Sequence, residues 1–376
     1  MAEVLLTVSG RVASPEVIAR IARGAARRID YLEMARAFGA DLIDFAAAQR
    51  AGPISHFIAR FFDEHLALAW ACFRQREAYQ VIFADCETVG LPLAAMLKYL
   101  APLAHSRPQL VMIGCDVLAA KKRPFYDLLR VHTHISYHLV FNQTHKHGLQ
   151  RRWGVPEERI VVTHFMVDPD YFNPEAVGPQ PRARPQICAV GIEARDYGTL
   201  VQAVRGLAVD VVIAAASPWS RQVDPSKALA PPPNVIIDRD LKLDVRQLYA
   251  DSAFVVMPLF DVDRAAGSTT ILEAMAMGKA VICSRAQGQR ELVVDGETGL
   301  YVPPGDVAAL RAAIQYLLDH PAEAARMGAA GRRRVEHELS LDHYVELTAS
   351  YVRRCLAPDH GSSLAVNSAP ADQDAW

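Results

Sequence analysis

The sequence predicts an α/β architecture of two parallel-sheet domains, and three observations carry that prediction. Short β-branched runs alternate with helical patterns along the chain, the βαβ order of a parallel sheet covered by helices on both faces. The alternation breaks once, over a Pro/Gly/Arg-rich stretch ending at Pro185, and then restarts. The chain has 376 residues, 51% of them hydrophobic, a length that suits two domains and a composition that excludes global disorder.

The first half begins with a strand at 4–8, an Ala/Arg-rich helical stretch to residue 39, a strand at 41–45 and one helix over 54–75. A strand at 81–84, a helix over 91–103, a strand at 110–113, a helix near 123–131 and strands near 138–141 and 160–163 continue the rhythm. Phe57, Phe61, Phe62, Trp70 and Phe73 recur at helical spacing and are expected mostly in the core. A hydrophobic acceptor groove or a peripheral membrane contact is the sharper reading of the same run, and Lys121, Lys122 and Arg123 would support it.

Residues 1–170 thus form the expected first domain and 171–185 a linker. The second domain, 186–340, has expected strands at 186–190, 209–214, 234–237, 254–257, 280–283 and 299–302. Its helices are expected over 196–206, 243–250, 268–277 and 306–319. A last amphipathic helix over 341–356 is placed to cross back to the first domain, and the Ser/Ala/Pro/Asp tail from 357 is expected to be disordered.

A formal net charge of -2 lacks the basic excess of a nucleic-acid binder. The six cysteines lie far apart beside apolar runs, as reduced thiols do, and no basic segment leads into an apolar signal core. No run reaches the ~18 apolar residues of a membrane span, so a cytoplasmic location is expected. His132, His134, His138, His145, His147 and His164 form a group without a familiar zinc template, and metal is not expected.

In open parallel sheets, ligands bind beyond the carboxyl ends of the strands, at helix N-termini. The most informative segment has that form. A strand ends at Pro258, and a polar loop through Asp261, Asp263 and Gly267 leads into a helix opened by Ser268, Thr269 and Thr270. Gly267 permits close backbone approach, and the free N–H groups and dipole of such a helix suit a diphosphate. Glu273, too far along to cap the helix, is a candidate to accept hydrogen bonds from a ribose diol. Asp261-Val262-Asp263 reads as a metal-chelating pair or as a solvated acidic loop.

The run Leu272-Glu273-Ala274-Met275-Ala276-Met277-Gly278-Lys279, followed by Gly288-Gln289-Arg290-Glu291-Leu292-Val293, Asp295-Gly296-Glu297-Thr298-Gly299-Leu300 and Pro303-Pro304-Gly305-Asp306, resembles the retaining family 4 glycosyltransferases of GT-B fold. The likeness is strong over about 186–335. It implies two Rossmann-like domains facing a cleft, a nucleotide-sugar donor, retention of anomeric configuration and no metal or other cofactor. UDP-glucose ranks first and GDP-mannose second as the donor. The acceptor would be a hydroxyl on a small molecule, a glycan or a lipid-linked molecule.

By the same resemblance Glu273 would be the second glutamate of the family's E-x7-E pair. The first falls at Ala265 and is missing, with Asp263 two residues earlier as its substitute on the sugar hydroxyls. Arg195 would stand at the diphosphate-clamping lysine position, its partner arginine absent. Ser217 and Trp219 end the second strand of that domain, where Ser217 would bond phosphate or ribose. On the acceptor side the candidates are Gly10, Arg11, Glu87, Cys115, which replaces a common family histidine, and His164. A nucleotide-sugar epimerase or hydrolase and a non-catalytic partner subunit are the competing readings.

Overall fold

A computed structural model describes residues 2–101, 107–216, 226, 230–239 and 244–357. Ser217, Trp219 and the tail beyond residue 357 lie outside the described residues.

The first sheet is built from β1 (Val4–Val8), β2 (Asp41–Asp44), β3 (Val81–Ala84), β4 (Gln109–Gly114), β5 (Tyr137–Val140) and β6 (Ile160–Val162). All neighbours pair in parallel, in the order β2-β1-β3-β4-β5-β6. The strands are almost wholly apolar because helices cover both faces, with one core around Leu68, Ile82 and Met112 and the other around Leu6, Phe83 and Val111. The helices are α1 (Pro15–Ala22), α2 (Asp30–Phe38), α3 (Phe45–Arg50), α4 (Pro53–Phe61), α5 (Glu64–Gln75), α6 (Glu87–Tyr99), α7 (Arg123–Asp127) and α8 (Gln143–Trp153).

Two expected helices are each divided. The Ala/Arg-rich stretch becomes α1 and α2, separated by a loop over 23–29 that turns at Gly24, φ 69°. The 54–75 helix becomes α4 and α5 because Asp63 leaves helical geometry and caps α5, its carboxylate accepting from His65 and Leu66 N–H. The break corrects the burial expected for the aromatic run. Trp70 and Phe73 pack on the core, but Phe57 and Phe61 of α4 and Phe62 just after it are 53%, 63% and 70% exposed.

The second sheet comprises β7 (Gln186–Val190), β8 (Asp210–Ala214), β9 (Val235–Asp238), β10 (Val255–Met257), β11 (Val281–Ser284) and β12 (Gly299–Val302), all parallel in the order β12-β11-β10-β7-β8-β9. Its helices are α9 (Tyr197–Ala203), α10 (Val245–Asp251), α11 (Ser268–Ala276), α12 (Val307–Asp319) and α13 (Pro321–Arg334), the last absent from the sequence reading. From β7 the chain winds outward through β8 and β9, then returns to start again at β10 on the other side. The order therefore reverses between β7 and β10, which is where such sheets open a crevice.

α14 (Leu341–Leu356), capped by Ser340, packs against α2 of the first domain and sends Tyr344 and Val352 into the core shared with Leu6 and Phe83. The two crossing segments touch where Val167 N–H donates to Leu339 O and Leu341 N–H to Val167 O. Arg28, in the α1–α2 loop, ties both to the first domain. Its guanidinium reaches Asp168 at 3.0 Å, Asp170 at 3.1 Å and Asp342 at 2.6 Å.

Candidate functional site

The loops leaving β7 and β10 lie side by side at the reversal of strand order and are stitched together. Asp196 N–H donates to Pro258 O at 2.9 Å, and Phe260 N–H to Ala194 O at 3.0 Å. This fixes Arg195 with its side chain underneath, 3% exposed. The guanidinium donates to Val190 O at 3.0 Å, Glu193 O at 2.7 Å and Thr270 Oγ1 at 3.3 Å. All three acceptors are neutral, and no carboxylate among the described residues pairs with it. The Glu193 carboxylate lies 3.0 Å from Arg264 instead. A buried cation without a counter-ion, with N–H groups to spare, is poised for an anion.

Two glycines make room for it. A Cβ at Gly191, φ 94°, would come within 2.7 Å of Arg195 Nη2, and one at Gly267, φ 81°, within 3.3 Å of Nη1. Gly267 is also the N-cap of α11 and offers no side-chain cap, so first-turn N–H groups face out of the helix end. Ser268 is committed locally, its hydroxyl donating to Ala265 O and accepting from Gln289 Nε2. Thr270 holds Arg195, and Thr269 is exposed.

Glu273 follows Thr270 by three residues and so shares its helix face. It is buried, accepting from Tyr249 Oη at 3.0 Å. Burial pushes its carboxyl up to about 7, against the opposing pull of Arg27 and of the Tyr249 hydrogen bond. Arg27 was missed in the sequence. It belongs to the first domain, and its Nη1 lies 3.5 Å from Glu273 Oε1. No local pattern marks a contact between residues so far apart in the chain.

Ala265, where the resemblance places a glutamate, packs against the first-domain cluster that includes Phe141. Asp263 lies on an exposed loop, and its charge acts across the cleft on Asp116 and on buried His145. Asp261 accepts from Gln287 N–H at 2.8 Å and from its side-chain amide. No cluster of three His, Cys, Asp or Glu side chains suited to a metal occurs among the described residues.

Across the cleft, Gly10 turns after β1 with open space where a side chain would stand, and Arg11 is exposed. Glu87 is committed to the scaffold. It accepts from Cys115 N–H at 2.9 Å and Asp116 N–H at 3.2 Å, and pairs with buried Lys122 at 3.2 Å. It therefore shapes the loop that leaves Cys115 exposed and presents no free carboxylate of its own. Neighbouring Asp85 is likewise internal, accepting from Thr7, Ser9 N–H and Ser9 Oγ. His164 has φ 56° and sits with Nδ1 3.7 Å from Glu291 Oε2, while the other oxygen of Glu291 accepts from Gln143 N–H at 2.8 Å. Glu291 thus fastens the second domain to the segment after β5 and lies beside His164 after β6.

Residues 185–320 match the family model for glycosyl transferases group 1. The second domain is a glycosyl transferases group 1 domain. Relatives of the chain include a glycogen synthase of Mycobacterium tuberculosis, 38% identical over 78 residues, which are 21% of this chain and 19% of that one. A second is the GDP-mannose-dependent alpha-(1-6)-phosphatidylinositol monomannoside mannosyltransferase of Mycolicibacterium smegmatis. It is 48% identical over 61 residues, 16% of either chain. The matched segments thus span about a fifth or less of these two relatives. Likeness of fold extends much further. The crystal structure of Anabaena HepE in complex with UDP and glucose superposes with a TM-score of 0.65 at 14% identity, covering 94% of this chain and 100% of that one. The chain has the two-domain GT-B fold, and its group 1 domain carries Arg195, Gly267 and Glu273.

Proposed function

We propose that the protein transfers a sugar from a nucleotide diphosphate donor to an acceptor hydroxyl, with retention of configuration. The observation that supports this most is the buried Arg195 beneath the mouth of α11, without a carboxylate partner among the described residues, with Glu273 one turn beyond Thr270 on the same face. A diphosphate needs fixed positive partners, and a ribose diol needs a carboxylate beside them.

In this reading Arg195 and the amides at Gly267–Thr270 hold the diphosphate, Glu273 holds the ribose, and Asp263 approaches the sugar hydroxyls from its loop. The acceptor oxygen forms its bond to the anomeric carbon on the face that the diphosphate leaves. The anomeric carbon–phosphate oxygen bond breaks, and the acceptor proton passes to the departing diphosphate. The protein's share of catalysis is to stabilise charge on that leaving group and to hold both substrates in register. UDP-glucose is the first donor to try and GDP-mannose the second, since HepE was solved with UDP and glucose and the named mannosyltransferase is GDP-mannose-dependent.

The experiment is proton NMR of UDP-glucose or GDP-mannose incubated with the protein and a panel of simple hydroxyl acceptors. Formation of a glycoside with the donor's anomeric configuration is expected. An inverted product would overturn retention. Donor consumed equally fast without acceptor would mark a hydrolase or epimerase, and a donor that is neither bound nor consumed would mark a non-catalytic module.

A further inference from the structure

One cation near the donor site is supplied by the other domain. Arg27 lies in the loop between α1 and α2, and its side chain is 44% exposed. Its contact with Glu273 is an ion pair at 3.5 Å, and it makes no hydrogen bond to a described residue. Its neighbour Arg28 is the opposite case. Arg28 N–H donates to Asp168 at 2.8 Å, and its guanidinium binds Asp168, Asp170 and Asp342. The backbone under Arg27 is therefore anchored where the chain crosses between domains, while its guanidinium is held by one ion pair, its charge also acting on Asp30.

The place it reaches is informative. Arg195 grips Thr270 and Arg27 meets Glu273, two residues on one face of α11 and about 4.5 Å apart along the helix axis. The two guanidinium groups thus contact side chains on successive turns of one helix face. Arg264, the cation on the β10–α11 loop, is paired with Glu193. A diphosphate carries more than one negative charge, so a single arginine and a helix end leave part of it unmatched. Arg27 lies within an arginine's reach of that position, and a ribose taking its hydrogen bonds from Glu273 would release it.

We propose that Arg27 is the second cation of the nucleotide site, delivered from the first domain. It holds the place of the ribose against Glu273 in the empty cleft and turns to the diphosphate when nucleotide enters. This rests on the nucleotide-sugar reading above. Because the donor domain alone lacks Arg27, nucleotide would favour the arrangement in which the two domains face each other closely.

Calorimetric titration of UDP, uridine, GDP and guanosine into the wild-type protein, Arg27→Ala and Arg27→Lys tests it. Arg27 is exposed enough that neither variant should lose its fold, and thermal unfolding of each checks this. Arg27→Ala should weaken the nucleoside diphosphate by roughly tenfold, about 1.4 kcal/mol, and leave the nucleoside unchanged or tighter. Arg27→Lys should recover part of the loss. Equal effects on nucleoside and nucleoside diphosphate, or no effect on either, would overturn the role of Arg27 while leaving nucleotide binding intact. Failure of the wild-type protein to bind either diphosphate would overturn the nucleotide-sugar reading and this assignment together.

Discussion

Glu273 is the residue whose environment makes the sharpest claim. A buried carboxyl pushed up to about 7 favours the folded state while it is protonated. That contribution is complete below about pH 4.5 and is lost as pH rises through about 7. Glu273→Gln is neutral throughout, so the stability of wild type relative to the variant should fall between pH 5 and pH 8, by on the order of 3 kcal/mol. Urea denaturation of both proteins at the two pH values measures it, and a constant difference would show that Glu273 does not titrate in this window. Arg195 and Glu273 were legible in the sequence because each belongs to a local segment of strand, loop and helix start. Arg27 and Glu291 were not. Their partners are brought to them by the approach of two domains, and no spacing along the chain encodes that.

Among the elements, the strands were the easiest to read, since strands buried on both faces appear as unbroken apolar runs. Helices were harder. α13 lacks a strong apolar stripe because it packs through small residues, and its absence of bulk is its packing device. A Cβ added at Gly328 would stand 2.0 Å from Gly278 O, so α13 lies directly on the turn after α11. Gly328→Ala should therefore destabilise the second domain by about 1–3 kcal/mol and lower Tm by several degrees. Gly178→Ala, with nothing within 4 Å, should leave Tm nearly unchanged, and thermal unfolding compares the two. α4 was misread for a different reason. Its apolar spacing is that of a core helix, yet Asp63 ends the pattern and turns the aromatics outward.

For the whole molecule, the division into two sheets and a crossing segment followed from one break in an otherwise regular alternation. The way the halves are held was not written locally. Arg28 joins the α1–α2 loop, the crossing segment and the start of α14 through three carboxylates, of which Asp168 is buried. Arg28→Ala would leave that carboxylate without its counter-ion, at a cost of about 3–5 kcal/mol. Asp168→Asn in the same background should restore part of the stability, as read by thermal unfolding. The candidate residues of the first domain are less legible for a different reason. Glu87 and Asp85 look like free carboxylates at strand ends, but the folded chain uses both to hold its own loops.

The central claim is that the second domain holds a nucleotide diphosphate on Arg195. Its most direct measurement is calorimetric titration of UDP-glucose and GDP-mannose into the wild-type protein, Arg195→Lys and Arg195→Ala, with circular dichroism to verify that each remains folded. The account predicts that at least one donor binds the wild-type protein, that Arg195→Ala weakens it by roughly tenfold or more, and that Arg195→Lys falls between. Undiminished binding in a folded Arg195→Ala protein would contradict it.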